Sequence, residues 1–309
     1  MQIPRSLRSL GMTVTLALAA VRLEAQTRHE FRELHMGVEV RIVLYAPDDS
    51  AARGAARAAF SRIAELEDIM SDYRPESELR RIERRPSEWV KVSEELFQVL
   101  ARAVEVADAT DGAFDPTVGP LVALWREARR LNRLPAARAL DSARAVVGWR
   151  RVALDTAGRR VRLAVPGMRL DLGGIAKGDI IQRAADGLRA RGVASSLIEA
   201  GGDIVVGEPP PTHRGWPIAA QDSVMVLSNA AISTSGPSIQ FVEIDGTRYS
   251  HIVDPRTGLG LTSARHATVI AAHGALADAL ATALTLLSSE ARRVLLARYP
   301  TVRAMTSDD

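Results

Sequence analysis

The chain has 309 residues, of which 47% are hydrophobic and 25% are charged, so it can bury a large core as one big domain or two smaller ones. Its formal net charge is +3 at pH 7, and Arg5, Arg8 and Arg22 against Glu24 contribute 2 of that excess from the first 25 residues. The remaining charge and an aromatic content of 4% argue against nucleic acid as a partner, because both a basic surface and stacking platforms are scarce.

The first 25 residues have the pattern of a secretory signal peptide. Arg5 and Arg8 precede an apolar run over 10–21, and small and polar residues follow up to Ala25, where we expect cleavage. The run is too short to span a membrane, and no later apolar stretch approaches the required length. We therefore expect an exported protein, periplasmic or extracytoplasmic, with residues 26–309 as its one domain. A buried N-terminal helix whose arginines imitate a signal sequence is the alternative.

Cysteine is absent from the sequence. Its absence excludes disulfides, a catalytic thiolate, cysteine-ligated metals and a lipid anchor on an N-terminal cysteine. An exported domain of this kind must depend on its hydrophobic core for stability.

The first half of the chain alternates between strand and helix patterns. Alternating apolar residues indicate strands, apolar spacings of three and four residues indicate helices, and Pro, Gly, Ser and Asp mark the boundaries. In chain order the patterns predict a strand over 31–45, a helix over 51–70, a polar loop over 70–79, a helix over 94–110, a surface helix and loop of no clear function over 125–141, and a strand pair over 152–165. Tyr73 in the polar loop is expected either to stack on a ring or to cap the core.

A rigid loop over 113–121 follows the helix that ends near residue 110. Two prolines and a glycine fix its irregular path, and Phe114 lies next to Asp115 in it. An apolar surface beside a carboxylate suits a planar polar heterocycle. An ordinary buried phenylalanine, with Asp115 capping the next helix, fits the same residues.

The second half of the chain is richer in strands. The patterns predict a helix over 175–191, strands over 193–198, 216–220 and 224–227, a hairpin over 241–253, a final strand over 266–272 and a small-residue helix after it. Two paired-glycine turns, at Gly173-Gly174 and Gly201-Gly202, indicate backbone that approaches a ligand from two sides.

The segment 170–178 joins an apolar run to a predicted helix through the first of these turns. Glycines admit a bulky anion, the helix start offers free N–H groups, Lys177 supplies positive charge, and Asp171 can accept a hydrogen bond. It is not a Walker A loop, because Lys177 precedes Gly178 and no Gly-Lys-Ser/Thr follows. Taken alone, the segment is more simply explained as a strand-to-helix turn with a solvated lysine.

Two further places carry candidate chemistry. His251 comes at the end of the predicted hairpin, just before a rigid polar turn at 254–258, where an imidazole can exchange protons near neutral pH. Asp278 and Thr282 lie four residues apart on one face of the last predicted helix, and oxygen ligands suit Mg²⁺ held jointly with phosphate. A structural histidine and a solvent-facing aspartate at a helix start are the corresponding alternatives.

Together these motifs resemble the ApbE family, the FAD:protein FMN transferases. The matching segments, in order, are Met36-Gly37, 70–79, 111–121, 171–178, Gly201-Gly202-Asp203, Thr234-Ser235-Gly236, 249–258, and Asp278 with Thr282. The resemblance spans nearly all of residues 26–309, and so many dispersed motifs in the right order make chance an unattractive explanation.

The resemblance implies a single catalytic α+β domain, T-fold-like, with mixed or antiparallel sheets and packed helices. It implies that the FMN half of FAD moves onto a threonine of an acceptor flavoprotein, of the electron-transport subunit type, and that AMP leaves. His251 would be the general base, Lys177 would steady the ligand, and Asp278 would act through Mg²⁺. The implied metal ligands are the main chain of Gly174, with Asp278 and Thr282. The implied FAD site comprises Met36, Tyr73, Ala113, Phe114, Asp115, Asp171, Lys177 and His251.

Three positions depart from the family's usual residues. Gly174 stands where alanine is more frequent, Val38 where threonine is usual, and Glu199 where a smaller polar residue is common. These departures affect the fit around the flavin and not the class. Because some family members resemble hydrolases, an Mg²⁺-dependent FAD pyrophosphatase that gives FMN and AMP is one alternative, and a non-catalytic periplasmic FAD carrier is another.

Overall fold

The structure is a computed structural model that describes residues 26–220, 223–237 and 241–307. The expected signal peptide, residues 1–25, lies outside these ranges. The strands are β1 (Thr27–His35), β2 (Val38–Ala46), β3 (Val90–Lys91), β4 (Val152–Asp155), β5 (Arg160–Leu163), β6 (Ser196–Ala200), β7 (Asp203–Val206), β8 (Trp216–Ala220), β9 (Ser223–Leu227), β10 (Ala230–Ser235), β11 (Phe241–Ile244), β12 (Thr247–Ser250), β13 (His266–Ala271) and β14 (Arg303–Ser307). The α-helices are α1 (Asp49–Met70), α2 (Glu78–Glu83), α3 (Glu94–Ala109), α4 (Gly119–Leu131), α5 (Ala137–Ala145), α6 (Ala176–Ala190), α7 (Gly274–Leu286) and α8 (Ser289–Ala297).

A seven-stranded sheet in the order β1-β2-β6-β7-β10-β13-β14 forms the centre of the molecule. Every neighbouring pair in it runs antiparallel. Smaller antiparallel sheets are formed by β3-β5-β4, by β8-β9 and by β11-β12. The expected α+β fold with antiparallel sheets and packed helices is confirmed.

The two faces of the central sheet are covered differently. Ile42 and Leu44 on β2 belong to the main core, where α1, α6 and α7 pack on the sheet, whereas Val43 between them faces the β8-β9 ribbon. The split follows from strand geometry, since successive side chains point to opposite faces. Trp216 and Leu227 fill the space under the ribbon.

The predicted strand over 31–45 is wrong in one respect, because it is a hairpin of β1 and β2. Met36 and Gly37 form its turn with φ angles of 53° and 73°, and positive φ at both positions is what a tight two-residue hairpin turn requires. The sequence pattern missed most of β1 because that strand lies at the sheet edge and has no buried residue. A row of charged and polar residues is a common protection of such an edge.

The C-terminal part also differs from the expectation. The strand predicted over 266–272 is β13, but it is not the last one, since α8 and β14 follow and β14 pairs with β13 at the other edge of the sheet. The strand β14 is short and half-exposed, so it shows little alternation in sequence. The helices α1, α3 and α6 agree with their predicted ranges to within about two residues, the usual uncertainty of helix ends.

Helices α6 and α7 cross at a pair of glycines. A Cβ atom built on Gly178 would collide with the main chain of Gly274, and one built on Gly274 would collide with that of Gly178. The absence of side chains lets the two backbones touch, which brings the start of α6 next to the first turns of α7. None of the helices in the described ranges has the length and apolarity that a membrane span requires.

Candidate functional site

A cavity of 330 Å³ collects the residues that the sequence singled out. All eleven of them line it: Met36, Tyr73, Ala113, Phe114, Asp115, Asp171, Gly174, Lys177, His251, Asp278 and Thr282. They come from segments spread over most of the chain, so the fold brings together what the sequence only placed in order.

The register of the central sheet explains how three of these segments meet. The β1-β2 turn at 36–37 and the β6-β7 turn at 201–202 lie at the same end of the sheet, because Val40 pairs with Ala200. The end of β10 lies there too, since Ser233 pairs with Asp203. The start of α6 and the first half of α7 cover this end from the helical layer.

Three buried or half-buried charges form what we call the Lys177 cluster, namely Lys177, Asp203 and Asp278. The Lys177 Nζ lies 2.8 Å from Asp203 Oδ2 and 3.6 Å from Asp278 Oδ2. The hydroxyl of Ser233 donates to Asp203 Oδ1, and the N–H of Gly178 donates to Asp278 Oδ2 at 3.2 Å. The solvated lysine of the alternative explanation is therefore wrong, because Lys177 is held between two acidic side chains.

The electrostatics of the cluster favour a further cation. Burial by itself lowers the pKa of Lys177, but the attraction of Asp203 and Asp278 outweighs it and holds the pKa above its usual value. Burial and the repulsion of Asp203 raise the pKa of Asp278 to about 7, although Lys177 opposes that shift. Two carboxylates face one ammonium, so a bound cation would let both carboxylates stay ionised.

The donors beside the cluster suit a hard divalent ion. A Cβ atom built on Gly174 would lie 3.0 Å from the Thr282 hydroxyl, so the Gly174 main chain is adjacent to that side chain. Thr282 Oγ1 is also 3.3 Å from the hydroxyl of Ser235. Across the described ranges no three His, Cys, Asp or Glu side chains form a metal-binding group. An ion here would be held by one carboxylate with hydroxyl and carbonyl oxygens, a donor set that fits Mg²⁺ bound jointly with phosphate.

The sequence left two explanations open for Phe114 and Asp115, namely a binding surface for a planar ligand, or a buried phenylalanine followed by a helix-capping aspartate. The structure agrees with parts of each for Phe114 and excludes the helix cap for Asp115. Phe114 is buried and also lines the cavity, as a wall for a planar ligand would. The carboxylate of Asp115 accepts hydrogen bonds from the N–H and hydroxyl of Thr117 at 2.8 and 2.6 Å, and from the N–H of Trp149 at 3.0 Å. Burial raises the pKa of Asp115, while these three bonds oppose the rise. Its side chain thus braces the loop, and it does not cap α4, whose N-cap is Val118 without a side-chain bond.

The rim of the cavity is organised by an arginine that the sequence did not single out. Arg126 on α4 lies 4.2 Å from the centre of the Tyr73 ring and pairs with Asp72 at 2.5 Å and with Asp171 at 3.3 Å. The segment 125–141 therefore does contribute to the site, contrary to the expectation. No local pattern marks Arg126, because its three partners are all at least 45 residues away in the chain.

The position of His251 is fixed by the bonds on either side of it. The N–H of Ser250 donates to the carbonyl of Leu261 at 2.8 Å, and the N–H of Leu261 donates to the carbonyl of Ile252 at 2.8 Å. The residue follows the end of β12, so it is not on the strand itself, and its exposed side chain lines the cavity. A group so placed is accessible to a substrate.

Asp203 is the other residue that the sequence left without an assigned role. In the sequence it belongs to the family-matching segment Gly201-Gly202-Asp203, and its contact with Lys177 depends on the pairing of β7 with β10. An acid directly after two glycines is the one sequence signal that points to it.

Comparisons with known proteins agree with this geometry. The model of the ApbE family matches residues 36–306. The FAD:protein FMN transferase of Chlamydia muridarum is 31% identical over 268 residues, covering 84% of this chain and 84% of the relative. The FAD:protein FMN transferase of Vibrio cholerae is 34% identical over 242 residues, covering 74% and 72% of the two chains. The crystal structure of the flavinyl transferase ApbE of Pseudomonas stutzeri superposes with a TM-score of 0.81 at 28% identity, covering 91% of each chain. The chain belongs to the ApbE family.

Proposed function

We propose that this protein is an Mg²⁺-dependent FAD:protein FMN transferase, which moves FMN from FAD to a threonine of an acceptor protein and releases AMP. The relatives that carry this name support the proposal, since they cover most of the chain. The observation that carries it is the Lys177 cluster in a cavity that Phe114 also lines. A carboxylate, hydroxyl and carbonyl oxygens beside an apolar wall suit a ligand that is diphosphate at one part and flat at another.

The chain's own residues supply a proton acceptor and positive charge for the reaction. The threonine Oγ of the acceptor attacks the phosphorus on the FMN side, a new P–O bond forms, and the P–O bond to AMP breaks. In this proposal His251 accepts the proton that the threonine loses. Lys177 steadies the diphosphate through its positive charge. At the start of α6 the N–H groups of Ala176 and Gly178 already donate to the Leu172 carbonyl and to Asp278, so these two are not the free N–H groups expected from the sequence.

The residues that would hold the metal are Gly174 through its carbonyl, Asp278 through its carboxylate and Thr282 through its hydroxyl. Mg²⁺ bound there would neutralise charge that develops on the diphosphate. The buried, acid-rich cluster is the part of this chain that fits such an ion.

Intact-mass spectrometry of an acceptor tests the proposal. The purified protein is mixed with FAD, Mg²⁺ and a flavoprotein acceptor domain, alongside the same domain with its target threonine changed to alanine. We expect a mass gain of one FMN on the first domain only, with AMP in equal amount. The gain should disappear with EDTA and in Asp278→Asn, whereas Asp68→Asn, an exposed aspartate on α1 outside the cavity, should behave as the wild type.

Two other results would contradict the transferase. Free FMN and AMP with an unmodified acceptor would identify an FAD pyrophosphatase. Intact FAD bound at stoichiometry, with neither product, would identify a carrier. We further propose an extracytoplasmic acceptor, because of the signal-like pattern in residues 1–25.

A further inference from the structure

An open groove of 670 Å³ adjoins the cavity at its rim. It runs along α2 and α4, and three residues, Asp72, Tyr73 and Arg126, line both the groove and the cavity. Tyr73 is 72% exposed and forms part of the edge that the two share. A ligand in the groove therefore lies directly beside the entrance to the reaction site.

Positive charge dominates the solvent side of this arginine groove. Its buried acids are already engaged, since Glu83 pairs with Arg80 at 2.5 Å and Asp72 with Arg126 at 2.5 Å. Facing solvent are three further arginines with side chains 51%, 68% and 44% exposed, against Glu127 as the single exposed acid among the described lining residues. These three are Arg84, Arg130 and Arg169.

The exposed arginines keep hydrogen-bond donors for another partner. Arg84 lies 3.5 Å from Glu76, which is 88% exposed, and donates to the carbonyl of Pro75, whereas Arg169 lies 3.9 Å from Glu83. Arg130 donates two hydrogen bonds to Glu127, at 2.9 and 2.5 Å, one helical turn away at the surface. A guanidinium has five N–H donors, so these contacts leave donors over on each of the three. Exposed pairs of this kind contribute little stability, so an incoming carboxylate can replace them at small cost. A guanidinium binds a carboxylate with two parallel hydrogen bonds, which gives a peptide a defined path.

We propose that the arginine groove docks an acidic segment of the acceptor polypeptide, so that the residue to be modified reaches the rim at Tyr73. The identity of the partner as the acceptor rests on the proposed function. The preference for an acidic segment rests on the groove itself, which is open and cationic. Its three exposed arginines come from three separate segments of the chain, so several carboxylates of one polypeptide can pair with them.

The groove's own preference is tested by peptide binding to the full protein. A rhodamine-labelled peptide rich in glutamate is titrated at low salt and compared with the same peptide carrying glutamine. We expect tighter binding of the glutamate peptide, lost as salt is raised because exposed charges are screened. Equal binding of the two peptides would overturn the proposal. An oligothymidylate that binds as tightly as the glutamate peptide would also overturn it, since the groove would then be an unselective anion surface.

Arginine variants connect the groove to the reaction. The triple variant Arg84→Gln, Arg130→Gln and Arg169→Gln should weaken peptide binding and raise the KM for the acceptor by about tenfold, with kcat and the affinity for FAD little changed. Changing the same three arginines to lysine keeps the positive charge, so this variant should retain most of the peptide binding and most of the affinity for the acceptor. A matched control, Arg53→Gln, Arg102→Gln and Arg160→Gln, removes three comparably exposed, ion-paired arginines that line neither the groove nor the cavity.

The outcomes separate this proposal from the proposed function. A control variant that raises the acceptor KM as much as the groove variant would overturn the docking site. If wild-type protein binds the glutamate peptide but transfers no FMN to any acceptor, the proposed function fails together with the partner's identity. The acidic preference of the groove would stand in that case. An unchanged acceptor KM in the groove variant of an active transferase would overturn docking alone.

Discussion

Asp203 holds the ammonium of Lys177 away from full contact with Asp278. The distances of 2.8 Å to Asp203 and 3.6 Å to Asp278 show which carboxylate Lys177 prefers. Because Lys177 pairs mainly with Asp203, the carboxylate of Asp278 remains available to bind another cation. Asp203 is thus a positioning residue for the Lys177 cluster.

Replacing Asp203 should weaken the binding of Mg²⁺ with little effect on folding. In Asp203→Asn, Lys177 loses its nearer partner and moves closer to Asp278, which competes with the metal. We expect Mg²⁺ affinity to fall by about tenfold to a hundredfold, as for other residues that orient a metal ligand. Calorimetric titration of Mg²⁺ into the FAD-loaded protein measures the affinity directly, with Asp68→Asn as control. Unchanged affinity would show that Lys177 does not compete for Asp278.

His251 lines the cavity with the rest of the implied FAD site, but its replacement should affect the transfer step far more than FAD binding. In His251→Asn no imidazole accepts the proton of the threonine, and a general base typically contributes about a hundredfold to ten-thousandfold in rate. We therefore expect single-turnover transfer to slow by at least about a hundredfold. FAD affinity, read from quenching of flavin fluorescence, should change little. A variant that binds FAD poorly but reacts at the normal rate once saturated would assign His251 to binding.

The crossing of α6 and α7 depends on two glycines. Both helices carry site residues in their first half, Lys177 on α6 and Asp278 on α7, so the close approach of the backbones sets the geometry of the Lys177 cluster. A methyl group at this crossing has nowhere to go because main-chain atoms of the partner helix occupy the space.

Gly178→Ala should destabilise the protein, and Gly187→Ala in the same helix should not. Overpacking of a tight core site costs about 1–3 kcal/mol. A Cβ atom on Gly187 meets only the Arg191 side chain at 3.8 Å, so alanine there should stabilise α6 by about 0.5–1 kcal/mol. Urea unfolding followed by circular dichroism measures both free energies. Equal stability of the two variants would mean that the helices shift apart without cost.

Local pattern was sufficient for the helices α1, α3 and α6, but it did not predict α2 or α8, and it was also insufficient for the edges of the sheet. The helices α1 and α6 have a regular apolar face. Helix α1 begins at a capping residue, Asp48, which accepts from the N–H of Ala51 at 2.8 Å, and Gly192 with a φ of 83° follows the end of α6. By contrast β1 and β14 are the outer strands of the sheet, where neither face needs to be apolar. Their existence is a consequence of the pairing with β2 and β13, which no pattern within the strand records.

The cavity links parts of the whole molecule, from the β1-β2 turn to α7. A ligand that fills it contacts segments that come together only in the folded state, so its binding should stabilise the entire protein. The linkage relation gives about 2.7 kcal/mol when the free ligand is at a hundredfold excess over its Kd.

FAD with Mg²⁺ should therefore raise the thermal midpoint of unfolding. Differential scanning calorimetry in the presence of FAD and Mg²⁺ is compared with FAD plus EDTA, and with AMP alone. We expect the largest upward shift with FAD and Mg²⁺ together, because the metal and the diphosphate share ligands. An equal shift with EDTA would show that the metal does not take part in binding FAD.

The sequence by itself was enough to identify those site residues whose arrangement depends only on near neighbours in the chain. The spacing of Asp278 and Thr282 puts them on one face of α7. Only the tertiary structure decided that Lys177 pairs with Asp203, that Arg126 closes the rim against Asp72, and that Asp115 braces Trp149. The reason is physical, since dihedral preferences and periodicity act over a few residues, whereas charge pairing across a cavity depends on sheet register and on how two helices cross.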